Sequence, residues 1–339
     1  MNYLVCGYLG YGNLGDELTA LAISSSLFSR SDTKNVVFLA KKHAKYSNIK
    51  TACRFNVINV LKNLKKCDVF VLGGGTLITD KCSKRSLFYY AWMLSLAKLM
   101  KKRLIVWSNG IDPLPRSFTR KILSRSLKSA KISLRDTGSL DALWEFCPTS
   151  NAYIHADPVF ALTDGKYLPP LSKGRKYLTV FIQKGCPDDL WVVIKDICEK
   201  YGFLPFFAAL SEKDLPICQK QGAHCGAAVD LICDLEAAEK LLCSSAVSLS
   251  MRYHGIVLSL GYGCVPIGFL CQNKGMMLMK EACLAELCHP FSPDYSKIFE
   301  NLENITSSAS KYAFICEKAK KEMQRLAKRA SAFLLDDKI

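Results

Sequence analysis

No two cysteines in this chain are spaced Cys-x-x-Cys, although it holds sixteen of them among 339 residues. That spacing gap excludes the common zinc-ribbon and thioredoxin-like motifs. The cysteines stand singly inside apolar stretches, as at Cys6, Cys198, Cys264 and Cys271. They read as small core residues kept reduced in a cytoplasmic protein. Histidine is scarce, with five in all, and none sits in a histidine and acid cluster with ligand spacing. No metal site is therefore expected, and no resident cofactor. No secretory leader is read before the first strand, because residues 1–2 run straight into Tyr3-Leu4-Val5. Long apolar runs are missing as well. Residues 87–97 are closed by Arg85 and Lys98, and residues 255–273 are broken by Gly261, Gly263, Pro266 and Gly268. Neither reads as a membrane span. No repeat of domain-building period and no low-complexity tract is present.

Acidic residues are also short, 30 against 46 basic ones, a net charge of +16. Such a balance points to nucleic acid, an anionic membrane surface or anionic substrates. No motif of the common nucleic-acid-binding families appears, so nucleic acid is not an expected partner. The basic residues are spread widely, with a denser run at Lys311, Lys318, Lys320, Lys321, Arg325, Lys328 and Arg329. That run reads either as a solvated helix face or as a peripheral contact with the inner face of a membrane.

Half of the chain is apolar and 22% is charged, enough for packed cores. The length is about twice that of a usual domain. Strands are expected at 2–6, 36–40, 69–72, 103–108, 131–134 and 152–155, alternating with helices at 16–29, 86–100, 118–129 and 137–146. A linker with Gly165, Pro169, Pro170 and Gly174 follows at 163–175. The alternation then restarts, with strands at 177–183, 203–208, 246–250 and 265–269 among helices, and two helices near 295–302 and 307–335 close the chain. This predicts an α/β protein of two Rossmann-like domains, 1–165 and 166–305, facing a cleft, with a C-terminal helix at 306–339 set to pack back on the first domain. Ligands in such folds bind at the carboxyl ends of the strands.

Four segments at predicted strand ends carry candidate chemistry. The first is Gly10-Tyr11-Gly12-Asn13-Leu14-Gly15-Asp16-Glu17. Its Gly-x-Gly-x-x-Gly spacing suits a dinucleotide. Two features oppose NAD: the second strand runs into Lys41-Lys42 instead of an acid, and Asp16 and Glu17 already place carboxylates at the helix start, where they repel a pyrophosphate. Asp16 can equally be a helix cap with the glycines making a tight turn. The second segment is Gly73-Gly74-Gly75-Thr76-Leu77-Ile78-Thr79-Asp80. Its glycines let backbone amides approach a ligand, and Asp80 is a candidate base or hydroxyl acceptor; the plainer alternative is a strand–loop–helix corner with a solvated carboxylate. The third is Arg135, whose guanidinium can hold a carboxylate or phosphate by two parallel hydrogen bonds or pair with Asp136. The fourth is Met251-Arg252-Tyr253-His254-Gly255, where a strand ends in Arg-x-His directly before a helix. The helix start adds positive potential, Arg252 can clamp an anion, and an imidazole can move a proton near neutral pH. His43, His155, His224 and His289 lack such a setting and read as structural.

In order along the chain, Gly12-Asn13-Leu14-Gly15-Asp16-Glu17, Gly73-Gly74-Gly75-Thr76-Leu77, Arg85-Ser86-Leu87-Phe88-Tyr89-Tyr90, Arg135-Asp136, Asp157-Pro158 and Arg252-Tyr253-His254-Gly255 with Pro266 downstream are similar to the polysaccharide pyruvyl transferases, most of all the bacterial cell-wall branch that modifies a lipid-linked precursor. One stretch departs from that branch: Ser108-Asn109-Gly110-Ile111-Asp112-Pro113 stands in place of a Gly-Gln-Gly-Ile-Gly-Pro run, which leaves the acceptor sugar open. The resemblance implies a glycosyltransferase-B-like fold, phosphoenolpyruvate as donor co-substrate and a pyruvate ketal bridging two sugar hydroxyls, often on N-acetylmannosamine. It implies His254, Asp80 and Asp16 in catalysis, and Arg135, Arg252, Tyr253 and Gly255 around phosphoenolpyruvate. Asn13, Gly74, Gly75, Arg85 and Tyr89 are implied around a sugar acceptor, expected to be lipid-linked. Two other classes stay open: a nucleotide-sugar glycosyltransferase of the same fold, and a non-catalytic glycan-binding protein. The sequence says nothing of oligomeric state.

Overall fold

Successive residues of a strand face opposite sides of a sheet, and in the first half of the chain both sides are apolar. Leu4, Cys6, Phe70, Leu72, Leu104 and Val106 belong to one buried cluster. Tyr3, Val5, Val69, Val71, Ile105 and Trp107 belong to another. A strand buried on both faces needs helices above and below, as in an all-parallel sheet. The computed structural model, which describes residues 1–41, 49–81, 83–115, 117–164, 174–289 and 295–336, has that architecture. Its elements run β1 (Asn2–Leu9), α1 (Leu14–Phe28), β2 (Asn35–Ala40), β3 (Lys50–Cys53), α2 (Val57–Lys66), β4 (Val69–Gly73), β5 (Thr76–Ile78), α3 (Lys84–Leu99), β6 (Arg103–Ile111), α4 (Phe118–Leu127), β7 (Ala130–Leu134), α5 (Thr137–Trp144) and β8 (Ala152–Ile154). The strands pair in the order β3-β2-β1-β4-β6-β7-β8, all parallel, with β5 added alongside β6.

The second half repeats the scheme. It holds β9 (Tyr177–Phe181), α6 (Leu190–Tyr201), β10 (Leu204–Ala209), α7 (Leu215–Cys225), β11 (Ala228–Leu231), α8 (Leu235–Cys243), β12 (Ser245–Ser250), α9 (Tyr253–Gly261), β13 (Val265–Phe269), α10 (Asn273–Glu281), β14 (Cys288–His289), α11 (Tyr295–Ser307) and α12 (Ala309–Leu335). Its parallel sheet has the order β11-β10-β9-β12-β13-β14. The chain divides into two compact units. Met1–Gly12, Asp16–Leu162 and Arg325–Ile339 form the first, and Asn13–Gly15 with Thr163–Gln324 the second. Residues 13–15, read from the sequence as part of the first domain, therefore group with the second. Residues 306–324 do so too, while the end of α12 groups with the first.

In both sheets the order reverses next to the first strand. From β1 the chain builds outward through β2 and β3, then returns to lay β4 on the other side of β1; β9, β10, β11 and β12 repeat this. The loops leaving the two strands at such a reversal diverge and open a crevice. In the first unit these loops are 10–12 and 74–75. In the second they are the loop after β9 and residues 251–252. The first, second and fourth candidate segments thus stand where an α/β sheet binds ligands, while Arg135 leaves β7, farther along the sheet.

Several elements escape the sequence reading. β3 is only Lys-Thr-Ala-Cys and half-exposed, and β11 is four residues with alternate exposure. α2 and α10 are short, and their apolar stripes are narrow: Val60 and Leu64 are the buried residues of α2, and Gly275, Leu278 and Met279 those of α10. Residues 165–173 of the expected linker, together with Lys42 and His43, lie outside the described residues. Eight of the described cysteines behave as core, whereas Cys53 and Cys283 are exposed. Cys6, Cys67, Cys147, Cys198, Cys218, Cys264, Cys271 and Cys316 are buried, and burial pushes the Cys6 thiol up to about 11, with Arg54 pulling it less strongly the other way.

The last turn of α12 closes over the first sheet on the α1 side, where Leu334 and Leu335 join Ile23, Leu27 and Ile105. Its terminal carbonyls need donors. Arg30 donates to the Leu335 carbonyl, Arg103 Nη2 to the Leu334 and Asp336 carbonyls at 3.1 Å each, and Lys131 Nζ to the Asp336 carbonyl at 2.5 Å. Three cations at a helix carboxyl end also match its dipole. Beside them, His155 Nδ1 lies 3.1 Å from Ser133 Oγ, and Ser133 Oγ 3.2 Å from Ser108 Oγ. Burial lowers the His155 pKa to about 4, with Arg329 adding to the effect. A histidine whose folded pKa lies below its unfolded one supports the fold fully above the unfolded value, near 6.5, and less as pH falls toward 4. Thermal unfolding of the intact chain between pH 7 and pH 4 is therefore expected to show a steeper loss of Tm than the His155→Gln variant; parallel curves would show that His155 is not the titrating group.

Candidate active site

β12 ends in Ser250, and the chain turns at once into α9, every residue of which is buried. So sharp a turn needs room. A methyl on Gly255 would come within 2.3 Å of Ser250 Oγ and 2.9 Å of the Phe181 ring, so only glycine lets α9 start this close to β9 and β12. Ser250 stitches the corner. Its hydroxyl donates to the Arg252 carbonyl at 2.8 Å, and the Arg252 amide returns a bond of 3.2 Å. Arg252 is the cap residue of α9, in extended conformation, and Tyr253 and His254 open its first turn.

The Arg252 guanidinium pairs through Nη2 with Oδ1 of Asp214 at the start of α7. The Arg252 side chain is 27% exposed and the Asp214 side chain 2%. Burial raises the Asp214 pKa, and the hydrogen bond and charge of Arg252 pull it back down. Arg252 Nε and Asp214 Oδ2 are both buried with no hydrogen-bond partner among the described residues. A buried donor in that state is uncommon in native proteins, and a ligand is one way to complete it. The arginine so placed is half engaged by protein and half open.

His254 is 9% exposed and stands edge-on to Tyr253, with ring centroids 5.1 Å apart. Its imidazole lies over the bare α carbon of Gly15: a methyl there would fall 1.9 Å from Nδ1. Gly15 is held in place by its own segment. Leu14 donates to the Leu210 carbonyl at 2.8 Å, Asn13 forms an antiparallel bridge with Ser211, and Asn13 Oδ1 accepts from the Gly15 amide at 3.1 Å. The second unit thus brings together five of the residues singled out in the sequence: Asn13, Arg252, Tyr253, His254 and Gly255. The spacing of Gly10, Gly12 and Gly15, which suits a dinucleotide, has another cause here. Gly15 makes room for an imidazole, and Gly10 and Gly12 adopt left-handed φ angles of 81° and 71°.

In the first unit, Glu17 is buried and accepts from the Gly10 amide at 3.1 Å, which shapes the loop after β1. Asp16 is half-buried, with Oδ1 3.7 Å from where a Gly75 methyl would sit. The helix starts at Leu14, so Asp16 lies inside its first turn and not at the cap position that one reading of the sequence gives it, and Asn13 precedes the helix with Oδ1 accepting from the Gly15 amide. The glycines after β4 serve packing first. A methyl on Gly74 would lie 1.9 Å from Thr19 Cγ2, and the Gly74 amide donates to the Trp107 carbonyl at 2.9 Å. Gly74 and Gly75 have left-handed φ angles of 65° and 77°. Asp80 is half-buried two residues beyond β5, Arg85 is exposed in the first turn of α3, and Tyr89 is half-buried on the same helix. Asp112, in the stretch that departs from the cell-wall branch, accepts from Thr79 Oγ1 at 2.7 Å and Lys81 Nζ at 2.8 Å.

Arg135 is 4% exposed. Nε reaches Asp136 Oδ2 at 3.3 Å, Nη2 donates to Thr76 Oγ1 at 2.5 Å, and the guanidinium lies against Gly110, where a methyl would be 2.5 Å from Nη2. Its pairing with Asp136, one of the two readings of the sequence, is present but buried, not on the surface. Asp136 caps α5 by accepting from the Ser139 amide at 2.7 Å, as its residue type suggests.

One functional-looking side chain escapes the sequence reading. Arg54, directly after β3, is 6% exposed and donates through Nη1 to the Gly7 carbonyl at 3.1 Å. Its guanidinium carbon lies 4.5 Å from the Tyr89 ring centroid, 5.5 Å from Tyr90, 5.8 Å from Tyr11 and 5.9 Å from Phe55. A guanidinium among aromatic faces gains from each ring quadrupole. The signal was weak, since four rings from three segments converge on it only once folded.

Two Rossmann-like units with ligand crevices of this sort define a glycosyltransferase-B-like protein, and the comparisons agree. The UDP-GlcNAc 2-epimerase from Neisseria meningitidis bound to UDP-GlcNAc superposes with a TM-score of 0.66 at 14% identity, covering 99% of this chain and 100% of that one. A glycosyltransferase from Rickettsia africae ESF-5 gives 0.61 at 11% identity over 99% of each chain, and the lipopolysaccharide outer core galactosyltransferase WaaB in its apo form gives 0.55 at 12% identity over 98% of each. At these identities the likeness is one of fold. No curated protein matches the sequence significantly. The chain belongs to the polysaccharide pyruvyl transferase family, whose model matches residues 13–273, and is a transferase.

Gly15→Ala is expected to destabilise the chain by about 1–3 kcal/mol through overpacking against the imidazole. The penalty should largely vanish in the His254→Ala background, because the clash partner is gone. Denaturant unfolding of the two single variants and the double variant measures this; an equal penalty in both backgrounds would place the cause elsewhere.

Proposed function

We propose that this transferase moves the pyruvate carbons of phosphoenolpyruvate onto two hydroxyls of a sugar in a polysaccharide precursor, as a ketal, releasing inorganic phosphate. The observation that carries this reading is the corner at 250–255, where a half-open guanidinium and an imidazole stand two residues apart at the start of a buried helix. Phosphoenolpyruvate bears a phosphate and a carboxylate. Arg252 is suited to one of them through the fork edge not used by Asp214, aided by the amide-rich start of α9. Arg135 is a second candidate for such an anion, and any direct contact would have to compete with its bonds to Asp136 and Thr76.

The chemistry balances as follows. His254 in its protonated form donates a proton to the methylene carbon of phosphoenolpyruvate, turning it into a methyl group and leaving positive character at C2. One sugar hydroxyl adds to C2 and gives up its proton, which restores the imidazolium. The C2–O bond to phosphate breaks, and the second hydroxyl closes the ketal as its proton leaves with the phosphate. Arg252 stabilises the charge that grows on the departing oxygen. Asp80 and Asp16 are the candidates for relaying these two hydroxyl protons, one on to the imidazole and one on to the phosphate, and Asn13, Gly74, Gly75, Arg85 and Tyr89 remain those for seating the sugar. N-acetylmannosamine on a lipid-linked cell-wall precursor is the acceptor class we favour, on the resemblance of the ordered motifs. The scheme uses no metal or resident cofactor.

The His254→Ala variant is expected to lose phosphate release from phosphoenolpyruvate in the presence of acceptor by about two orders of magnitude or more, with donor binding kept. Arg252→Ala is expected to weaken phosphoenolpyruvate binding about tenfold or more in a titration, the loss of one charge-assisted contact. Near-normal turnover in the first variant, or unchanged affinity in the second, removes that residue from the mechanism. Thermal stabilisation by UDP-sugars but not by phosphoenolpyruvate would favour a nucleotide-sugar enzyme instead.

A further inference from the structure

The segment 49–67 carries five basic residues, Lys50, Arg54, Lys62, Lys65 and Lys66, and no acidic one. It folds as β3, the Arg54-Phe55-Asn56 turn and α2. The helix is well formed at both ends. Asn56 Oδ1 accepts from the Asn59 amide at 3.0 Å, and Lys65 and Lys66 sit in the last turn, where cations suit the dipole. Only Val60 and Leu64 turn inward. On the rest of the segment, large apolar side chains face solvent: Phe55 is 65% exposed, Val57 56%, Ile58 78% and Leu61 39%. At helical spacing, Ile58, Leu61, Lys62 and Lys65 fall on one outer face. A single exposed apolar residue needs no explanation, but four in seven positions, flanked by asparagines and lysines, do.

We propose that this face of α2 docks on an anionic lipid bilayer surface, with Phe55, Val57, Ile58 and Leu61 entering the headgroup region and Lys62, Lys65 and Lys66 pairing with lipid phosphates. The charge decides among occupants. A second copy laid on the same face by two-fold symmetry would bring lysine against lysine with no carboxylate in the segment to offset them. A bilayer supplies both an apolar layer and fixed negative charge, and lysine stems can lie along it while their ammonium groups reach the phosphates. Among the described residues no helix is long and apolar enough to cross a membrane, so contact from one side is the form of attachment that remains open to this face. The site differs from the basic run of the C-terminal helix, where Lys321 is already paired with Glu317. It also goes beyond the transfer chemistry, and its test reads binding alone, so it stands or falls apart from the donor assignment.

The full chain is mixed at low salt with vesicles of phosphatidylcholine, with and without an equal share of phosphatidylglycerol, and floated on a density gradient. The chain should float with the anionic vesicles only and be released by high salt. Phe55→Glu with Ile58→Glu, and separately Lys62→Glu, Lys65→Glu and Lys66→Glu together, should each lower the partition about tenfold or more. Lys311→Glu with Lys318→Glu on α12 should leave it unchanged. An Ile58→Trp variant, which keeps the apolar face, should show a blue-shifted emission on adding anionic vesicles. Failure of the intact chain to float, flotation untouched by the Phe55 and Ile58 changes, loss through the α12 changes instead, or an unshifted emission from the Ile58→Trp variant would each overturn the proposal. So would sedimentation showing a dimer that Ile58→Glu dissolves in a chain that does not bind vesicles.

Discussion

The imidazole of His254 rests on an α carbon that has no side chain, and much of the second unit's candidate site is arranged around that contact. Any larger residue at 15 would displace the ring. The segment that delivers Gly15 is pinned by the Leu14 bond to Leu210 and the Asn13 bridge to Ser211, so the glycine cannot drift away. On the other side, α9 starts against β9 and β12 only because Gly255 is bare as well. Two glycines, one beneath the ring and one in the helix that carries it, thus fix the position of a single side chain. A side chain held in this way needs no further ordering before it meets a ligand.

Arg252 shows the opposite balance. A wholly satisfied buried ion pair would be a structural fixture, and a wholly free guanidinium would be a mobile surface charge. Here Asp214 holds one edge while Nε has no partner among the described residues and part of the side chain meets solvent. The buried carboxylate is itself under strain from desolvation, which raises its pKa against the pull of its partner. Removing Arg252 from this pair leaves the buried Asp214 carboxylate uncompensated, which costs more than the pair contributes. Arg135 in the first unit is tied down further, by Asp136, Thr76 and the approach of Gly110. Two arginines at strand ends, indistinguishable as sequence, therefore differ in what they have left to offer.

The strand-end motifs were legible because each couples a local rule to a place in the fold. Gly73-Gly74-Gly75 after an apolar run marks a strand leaving a sheet, and Arg-x-His before Gly255 marks a helix entered without delay. Their ordered series carried the family as well. What stayed hidden was anything made by convergence or by short pieces. Arg54 looks unremarkable next to β3, yet Tyr11, Phe55, Tyr89 and Tyr90 gather around it. α2 was missed because just two of its residues are buried, so its pattern is that of a helix with an open face instead of one packed into a core.

By itself the sequence determined the α/β class, the alternation of strands and helices in both halves, the family and the positions of the candidate loops. These depend on hydrophobic period, on glycine's freedom and on residue order, all of which are local. Only the tertiary structure decided which neighbour each glycine makes room for, that residues 13–15 belong with the second unit, and that Arg135 is engaged where Arg252 is half open. Those distinctions depend on distances between residues far apart in the chain, up to about 240 positions for Gly15 and His254. No spacing rule along a sequence encodes such a distance, because it is set by how the sheets are ordered and by which side chains the close approaches leave room for.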